Sequence, residues 1–192
     1  MEFLDYNETL AHLRPHAVVP RAEGEEEDAQ LVRLFLEDEQ RAPIKVTVGS
    51  TKDDDQYSVS RDRADLGDAA EAIVAGLHID EIAIFPASRW REILDLVAFD
   101  LAEDETWLEV DAEAAMHQNG RDPLVLIPRD RHLLVTLINA LMNHAEAPTH
   151  DISVVAMDAP VIIQVGHAGI LTVWCANEAM ADKIARLAHA HA

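Results

Sequence analysis

Two Arg-x-Arg pairs, each set just after an apolar run and a proline, are the residues of this chain best placed to do chemistry. Ile84-Phe85-Pro86 leads to Arg89-Trp90-Arg91, and Leu126-Ile127-Pro128 leads to Arg129-Asp130-Arg131 and His132. A guanidinium presents a planar fork of donors that matches carboxylate and phosphate oxygens. Arg89, Arg91, Arg129, Arg131 and His132 would therefore grip an anion if the fold brought them to one cleft. Arginines in the first turn of a helix oppose its macrodipole, at a cost of roughly a few tenths of a kcal/mol at an exposed site. The plainer reading is that neighbouring acids, Glu92 and Asp130, offset that cost on an ordinary surface. A third pair, Arg61-Asp62-Arg63, also precedes a helical pattern.

The other reactive residue types form no recognisable catalytic pattern. His12 and His16 have the i, i+4 spacing of helical metal ligands, but Pro15 between them spoils the shared face. His144 and His150 flank a loop with Glu146, and His189 and His191 sit in an alanine-rich tail. None forms His-Glu-x-x-His or a paired-cysteine zinc pattern, so no metal and no cofactor is expected. Cys175, beside Trp174 at the end of an apolar run, has no base marked for it and reads as a small buried hydrophobe. Serine occurs at 50, 58, 60, 88 and 153, never in a Gly-x-Ser-x-Gly elbow. Asp53-Asp54-Asp55 lacks the spacing of a calcium loop, and no glycine-rich phosphate loop is present. Trp90, Trp107 and Trp174 all fall in expected elements and are assigned to the core.

The elements that must carry these residues follow from apolar periodicity. Asn7 to Leu13 reads as a short helix capped by Asn7, and Ala29 to Glu37 as a helix, because Leu31, Leu34 and Phe35 suit one while the adjacent pairs Leu31-Val32 and Leu34-Phe35-Leu36 break strand alternation. Ile44 to Val48 alternates and reads as a strand, with Tyr57 to Ser60 as its returning partner. A helix follows from Asp65 or Asp68, ending near Gly76, and then a strand from Ile82 to Phe85. Ser88 is the expected cap of a helix to Phe99. Thr106 to Val110 reads as a strand, joined by a hairpin at Asn119-Gly120 to another from Leu124 to Ile127. A helix from about Arg129 to Asn143 carries Leu133, Leu134, Leu137, Ile138 and Leu141 on one face. Strands at Ile152 to Met157, Val161 to Val165 and Ile170 to Cys175 come next, and a helix from Asn177 to Ala188 closes the series.

From about residue 82 this order is β-α-βββ-α-βββ-α. Arg89 onward and Arg129 onward match at one constant offset, which suggests a duplicated helix-plus-three-strands unit. The expected class is α+β: a mainly antiparallel sheet with helices on one face. Residues 81–192 form the duplicated domain, and residues 1–80 form an N-terminal α/β lobe or an extension of the sheet. In topology alone the order is similar to sliding clamps, and its later part to the class I type III secretion chaperones. The chain carries no sequence motif of either.

Bulk properties narrow the function. The 192 residues carry a net charge of -21, which disfavours unspecific contact with nucleic acid or anionic membranes. No apolar run approaches the ~20 residues of a membrane helix. Met1 to Asp5 shows no basic region followed by an apolar stretch, so no signal peptide is expected, and one cysteine permits no internal disulfide. The expected location is the cytoplasm. The leading expectation is a non-enzymatic, acidic protein-interaction module whose partner is another protein, self-association into a homodimer included. The alternative is a small-anion binder or enzyme with an arginine-lined pocket. A further alternative is an acidic inhibitor or immunity-type protein that presents Glu25, Glu26, Glu27 and the Asp53 loop as one negative face.

Overall fold

Alternating buried side chains on both faces of one sheet organise the chain. The structure is a computed structural model that describes residues 1–23, 31–38, 42–50, 56–102, 104–117 and 120–190. Its strands are β1 (Glu2–Phe3), β2 (Val18–Glu23), β3 (Leu31–Leu36), β4 (Ile44–Gly49), β5 (Ser58–Val59), β6 (Ile82–Pro86), β7 (Leu124–Leu126), β8 (Ile152–Ala156), β9 (Val161–Gly166) and β10 (Ile170–Cys175). Its helices are α1 (Tyr6–Leu13), α2 (Leu66–Gly76), α3 (Trp90–Leu101), α4 (Glu105–Ala114), α5 (Arg131–His144) and α6 (Glu178–Ala190). Eight strands form one sheet in the order β1-β7-β6-β8-β9-β10-β4-β5, and β2 pairs with β3 in a separate hairpin. All pairings are antiparallel except β4 with β5. The class is therefore α+β. Residues before 80 supply β1 at one edge and β4 and β5 at the other.

Successive strand residues point to opposite faces. Ile82, Ile84, Ile152, Val154, Ile163, Leu171 and Val173 enter the larger core, against α2, α3, α5 and α6. Ala83, Phe85, Val155 and Ile162 point the other way, where they meet Leu13 of α1 and Val18, Leu34 and Leu36 of the hairpin. Both faces of the central strands are covered, which is why those strands read as unbroken apolar runs. Each such aliphatic side chain contributes roughly 1.5–3 kcal/mol on full burial. Most helices share one face, and α1 with the hairpin closes the other.

Several sequence expectations need correction. Residues 31–36 form strand β3, not a helix: Leu34 and Leu36 are buried, while Phe35 faces outward under the Arg21 guanidinium, 4.9 Å from its ring centre. That aromatic on the outer face hid the alternation. Thr106–Val110 lies inside helix α4, not in a strand. The Asp104 side chain accepts from Thr106 N at 2.9 Å, and Trp107 and Val110, three residues apart, are both buried. After α3 the chain thus continues with a helix and the single strand β7, whereas α5 is followed by three strands. No hairpin joins 106–110 to β7, and Asn119 lies outside the described residues. β5 pairs parallel to β4, so it does not return as a hairpin partner. Asp5 caps α1 in place of Asn7. Ser88 does not cap α3: its hydroxyl donates to Thr149 O at 2.6 Å, and the first α3 amide, Trp90 N, donates to Gly120 O at 2.8 Å.

Candidate functional site

The five residues expected to share an anion site fall into two groups. α3 starts beyond the end of β6, and α5 starts beyond the end of β7. Those strands are antiparallel neighbours, with Ile82 opposite Leu126 and Ile84 opposite Leu124. The two helix starts therefore lie at opposite ends of the sheet. Arg131 donates to the carbonyl of Ile79, just before β6, and becomes a structural tie. Arg129 is largely exposed, with Asp130 at 3.5 Å, and Asp130 also pairs with the Met1 amino group at 2.9 Å. Burial pushes the Asp130 carboxyl up, but the Met1 amino group, Arg129 and the Ile127 backbone outweigh it and hold the group below its ordinary range. His132 is exposed on α5, and its carbonyl accepts from the Thr136 hydroxyl.

Arg89 and Arg91 do share a cleft. It has a volume of about 450 Å3 and combines three arginines, Arg89, Arg91 and Arg121, with His117, Asp111 and a wall of Leu94, Ala114 and Ala115. The segment after α4 builds it by crossing the start of α3. Gly120 O caps Trp90 N, Arg121 Nε donates to Ser88 O at 3.0 Å, and Asp122 O accepts from Trp90 Nε1 at 2.8 Å. The Asp122 carboxylate bonds Tyr6 N at 3.1 Å and His117 Nδ1 at 2.9 Å. Trp90, buried edge-on against Phe3, anchors the floor. Arg91 is exposed and pairs with Asp95 on its own helix, 2.8 Å away.

A groove between α3 and α4 continues from this cleft. Leu94, Ala98, Leu101, Trp107, Leu108 and Asp111 line it, and Leu94 and Asp111 belong to both concavities. Only a short link separates the end of α3 at Leu101 from the start of α4 at Glu105, and the start of α3 shares the cleft with the end of α4, so the two helices run antiparallel. The described residues include three large hydrophobic side chains that stand exposed: Phe99 at 93%, Leu108 at 55% and Met116 at 76%. Phe99 lies on α3, Leu108 on α4, and Met116 just after α4. Trp107 Nε1, buried beneath the groove, has no hydrogen-bond partner among the described residues.

Other polar constellations are accounted for by the fold. Asp151 accepts from Arg33 of β3 at 2.9 Å and from the His167 amide at 2.7 Å, and it pairs with His167 Nδ1 at 2.8 Å, so it knots the hairpin to the sheet. Arg61 donates to Ala188 O near the end of α6, and Arg63 to Ala145 O at the end of α5, where the macrodipole favours a cation. Cys175 is buried, and burial pushes its thiol up to about 11. Among the described residues no three His, Cys, Asp or Glu side chains gather as metal ligands, and no helix is long and apolar enough to cross a membrane. Glu25, Glu26, Glu27 and Asp53 lie outside the described residues.

Arg121 and His117 escaped the sequence reading because their roles depend on a crossing that no local pattern announces. The only local hint is the pairing of His117 with Asp122 five residues on. Comparison of this chain with protein-family models, with curated proteins and with solved structures found no match.

Proposed function

We propose that this protein is a protein-interaction module that docks a segment of another protein along the α3–α4 groove. The observation that carries the reading is the location of its exposed large hydrophobics. Leu108 lines the α3–α4 groove, and Phe99 and Met116 stand exposed on the same two-helix segment; the groove is apolar but for Asp111 and opens into a polar cleft. Exposed apolar side chains grouped around a groove with a polar rim are the usual make-up of a docking surface. α3 has twelve residues, a length of about 18 Å, and a helix of three turns or a short extended strand would cover it. Among the described residues Asp111 is the one ionisable group in the groove lining, and the rest is apolar, which favours binding over catalysis.

The test is selection of binders from a randomised peptide display library, followed by hydrogen-exchange mapping of the complexes. Selected peptides are expected to protect residues 90–101 and 105–114. Phe99→Asp and Leu108→Asp, both at exposed positions that leave the core intact, are expected to abolish capture. Capture that survives both substitutions, or protection confined to another face, would sink this reading.

A further inference from the structure

We infer that the cleft between the β2–β3 hairpin and the β8-β9-β10 meander is a second site, where Ser153 takes the acyl group of small esters, His167 is its base and Asp151 positions that base. The inference is independent of the docking reading, because the two sites lie on opposite faces of the sheet.

β8 is buried throughout, and Ser153, 4% exposed, is its one polar residue. Ile152 and Val154 enter the core that α3 and α4 share, so Ser153 between them faces the hairpin, as Val155 does. There it lines a cleft of about 260 Å3 with Arg33, Asp151, Gln164, His167 and Thr172. Its hydroxyl is open to that cleft and makes no hydrogen bond among the described residues. Buried polar groups are ordinarily hydrogen-bonded, so an unpaired one calls for a reason.

A base stands in the same cleft. Asp151 is extended just before β8, two residues from Ser153, on the same face and roughly 7 Å along the chain. Its Oδ2 accepts from Arg33 at 2.9 Å, and its Oδ1 accepts from the His167 amide at 2.7 Å and from Nδ1 of the same residue at 2.8 Å. A carboxylate on Nδ1 holds the proton of the neutral ring there and leaves Nε2 with its lone pair. Nε2 has no partner among the described residues. Tying the hairpin to the sheet accounts for the carboxylate, but for neither the hydroxyl nor the open ring nitrogen.

Donors for a developing oxyanion flank the hydroxyl. Gln164 stands opposite Ser153 in the β8–β9 register, and Thr172 opposite Gln164 in β9–β10. The Gln164 amide is fixed by Leu34 O at 2.9 Å and by the Trp174 indole at 3.1 Å, which leaves one of its two N–H donors unassigned. That N–H and the Thr172 hydroxyl are of the kind that stabilises the oxyanion in acyl transfer.

Water is the only co-reactant the chemistry needs. Ser153 Oγ bonds to the ester carbonyl carbon, its proton passes to His167 Nε2, and the ester C–O bond breaks as the alcohol leaves with that proton. Water then attacks the acyl-serine and gives a proton to Nε2, which returns it to Ser153 Oγ as the carboxylic acid leaves. Drug-sized ligands occupy roughly 300–1,000 Å3, so this smaller cleft restricts the acyl group to a short one.

The experiment labels the full chain with a fluorophosphonate, whose phosphorus bonds to the serine oxygen as fluoride leaves, and reads the product by intact mass and peptide mapping. One adduct on Ser153 is expected in wild type and none in Ser153→Ala, which should also lose the release of p-nitrophenol from p-nitrophenyl acetate. His167→Gln is expected to slow labelling about a hundredfold or more, with melting temperatures showing that both variants fold. Nitrogen-15 spectra of the histidines give a second reading that needs no loss of function. The neutral His167 ring is expected to carry its proton on Nδ1 in wild type, and the other tautomer is expected to appear in Asp151→Asn. No adduct, an adduct elsewhere in place of Ser153, or labelling at an unchanged rate in folded His167→Gln would overturn the inference. A wild-type ring protonated on Nε2 would do the same, and an unchanged tautomer in Asp151→Asn would overturn the part given to Asp151. None of these results bears on the α3–α4 groove, whose own test stands apart.

Discussion

Arg121 reaches back across the start of α3 to donate its Nε–H to the carbonyl of Ser88 at 3.0 Å. Thirty-three positions separate the two in sequence. One hydrogen bond thereby sets an arginine from the segment after α4 into the cleft that holds Arg89 and Arg91. Asp122, the next residue, secures the same crossing from below through Tyr6, Trp90 and His117.

Asp122→Ala should therefore loosen this corner of the molecule. It removes the acceptor of Tyr6 N and of His117 Nδ1 at a position only 7% exposed. The expected cost is about 1–3 kcal/mol, because partners are left unsatisfied in a buried place. Urea unfolding monitored by tryptophan fluorescence measures it. A change below a few tenths of a kcal/mol would mean that the crossing does not depend on this carboxylate.

Gly67→Ala should destabilise the protein although alanine is the better helix former by about 1 kcal/mol. A Cβ at Gly67 would lie 2.9 Å from the carbonyl oxygen of Val135 and 2.4 Å from Asn139 Oδ1, so α2 and α5 would have to move apart. Overpacking of this kind costs about 1–3 kcal/mol. Gly76→Ala meets the side chain of Leu187 at 2.3 Å, and that half-buried side chain can turn away. Thermal unfolding of the two variants should rank Gly67→Ala as clearly the worse. Equal melting temperatures would contradict the close α2–α5 contact.

Acid should weaken the link between α3 and α5. Asp100 accepts from Asn143 Nδ2 at 3.1 Å and pairs with His144 Nε2 at 3.1 Å. The Asn143 hydrogen bond first, then His144, hold its carboxyl below the ordinary range against a smaller opposing effect of burial. A depressed folded value means that the stabilisation is present above the unfolded carboxylate range, near pH 4, and fades as pH falls through the folded value. Asp100→Asn should remove this part of the pH dependence. Urea midpoints at pH 6 and pH 3 provide the check: a difference between the two pH values that is the same in variant and wild type would rule out the link.

The thiol of Cys175 should stay inert in the folded protein. Burial raises it to about 11, so at pH 8 the reactive thiolate is scarce, and the side chain is also sealed from reagent. Reaction with a disulfide reagent is expected to be slow in buffer and complete within minutes in urea. Rapid modification of native protein would show that the end of β10 opens readily.

Much of the architecture was legible along the chain wherever a residue's environment is set by near neighbours. The apolar stripe of Leu133, Leu134, Leu137, Ile138 and Leu141 marked α5, and all five are buried. The runs ending at Met157, Val165 and Cys175, with short connections between them, marked the β8-β9-β10 meander. Hydrophobic period and turn length determine such elements locally, and with them the α+β class. Thr106 to Val110 escaped that logic because its β-branched and aromatic residues suit a strand, while an Asp104 cap and packing of Trp107 against α3 make it a helix. The arginines mark the boundary most clearly. Their type and spacing announced anion chemistry, but whether they meet depends on strand direction. The antiparallel pairing of β6 with β7 carries Arg129 and Arg131 to the far end of the sheet, and the crossing after α4 brings Arg121 to Arg89 and Arg91. Side-chain chemistry is a property of each residue, whereas convergence is a property of backbone paths joined by hydrogen bonds between distant segments.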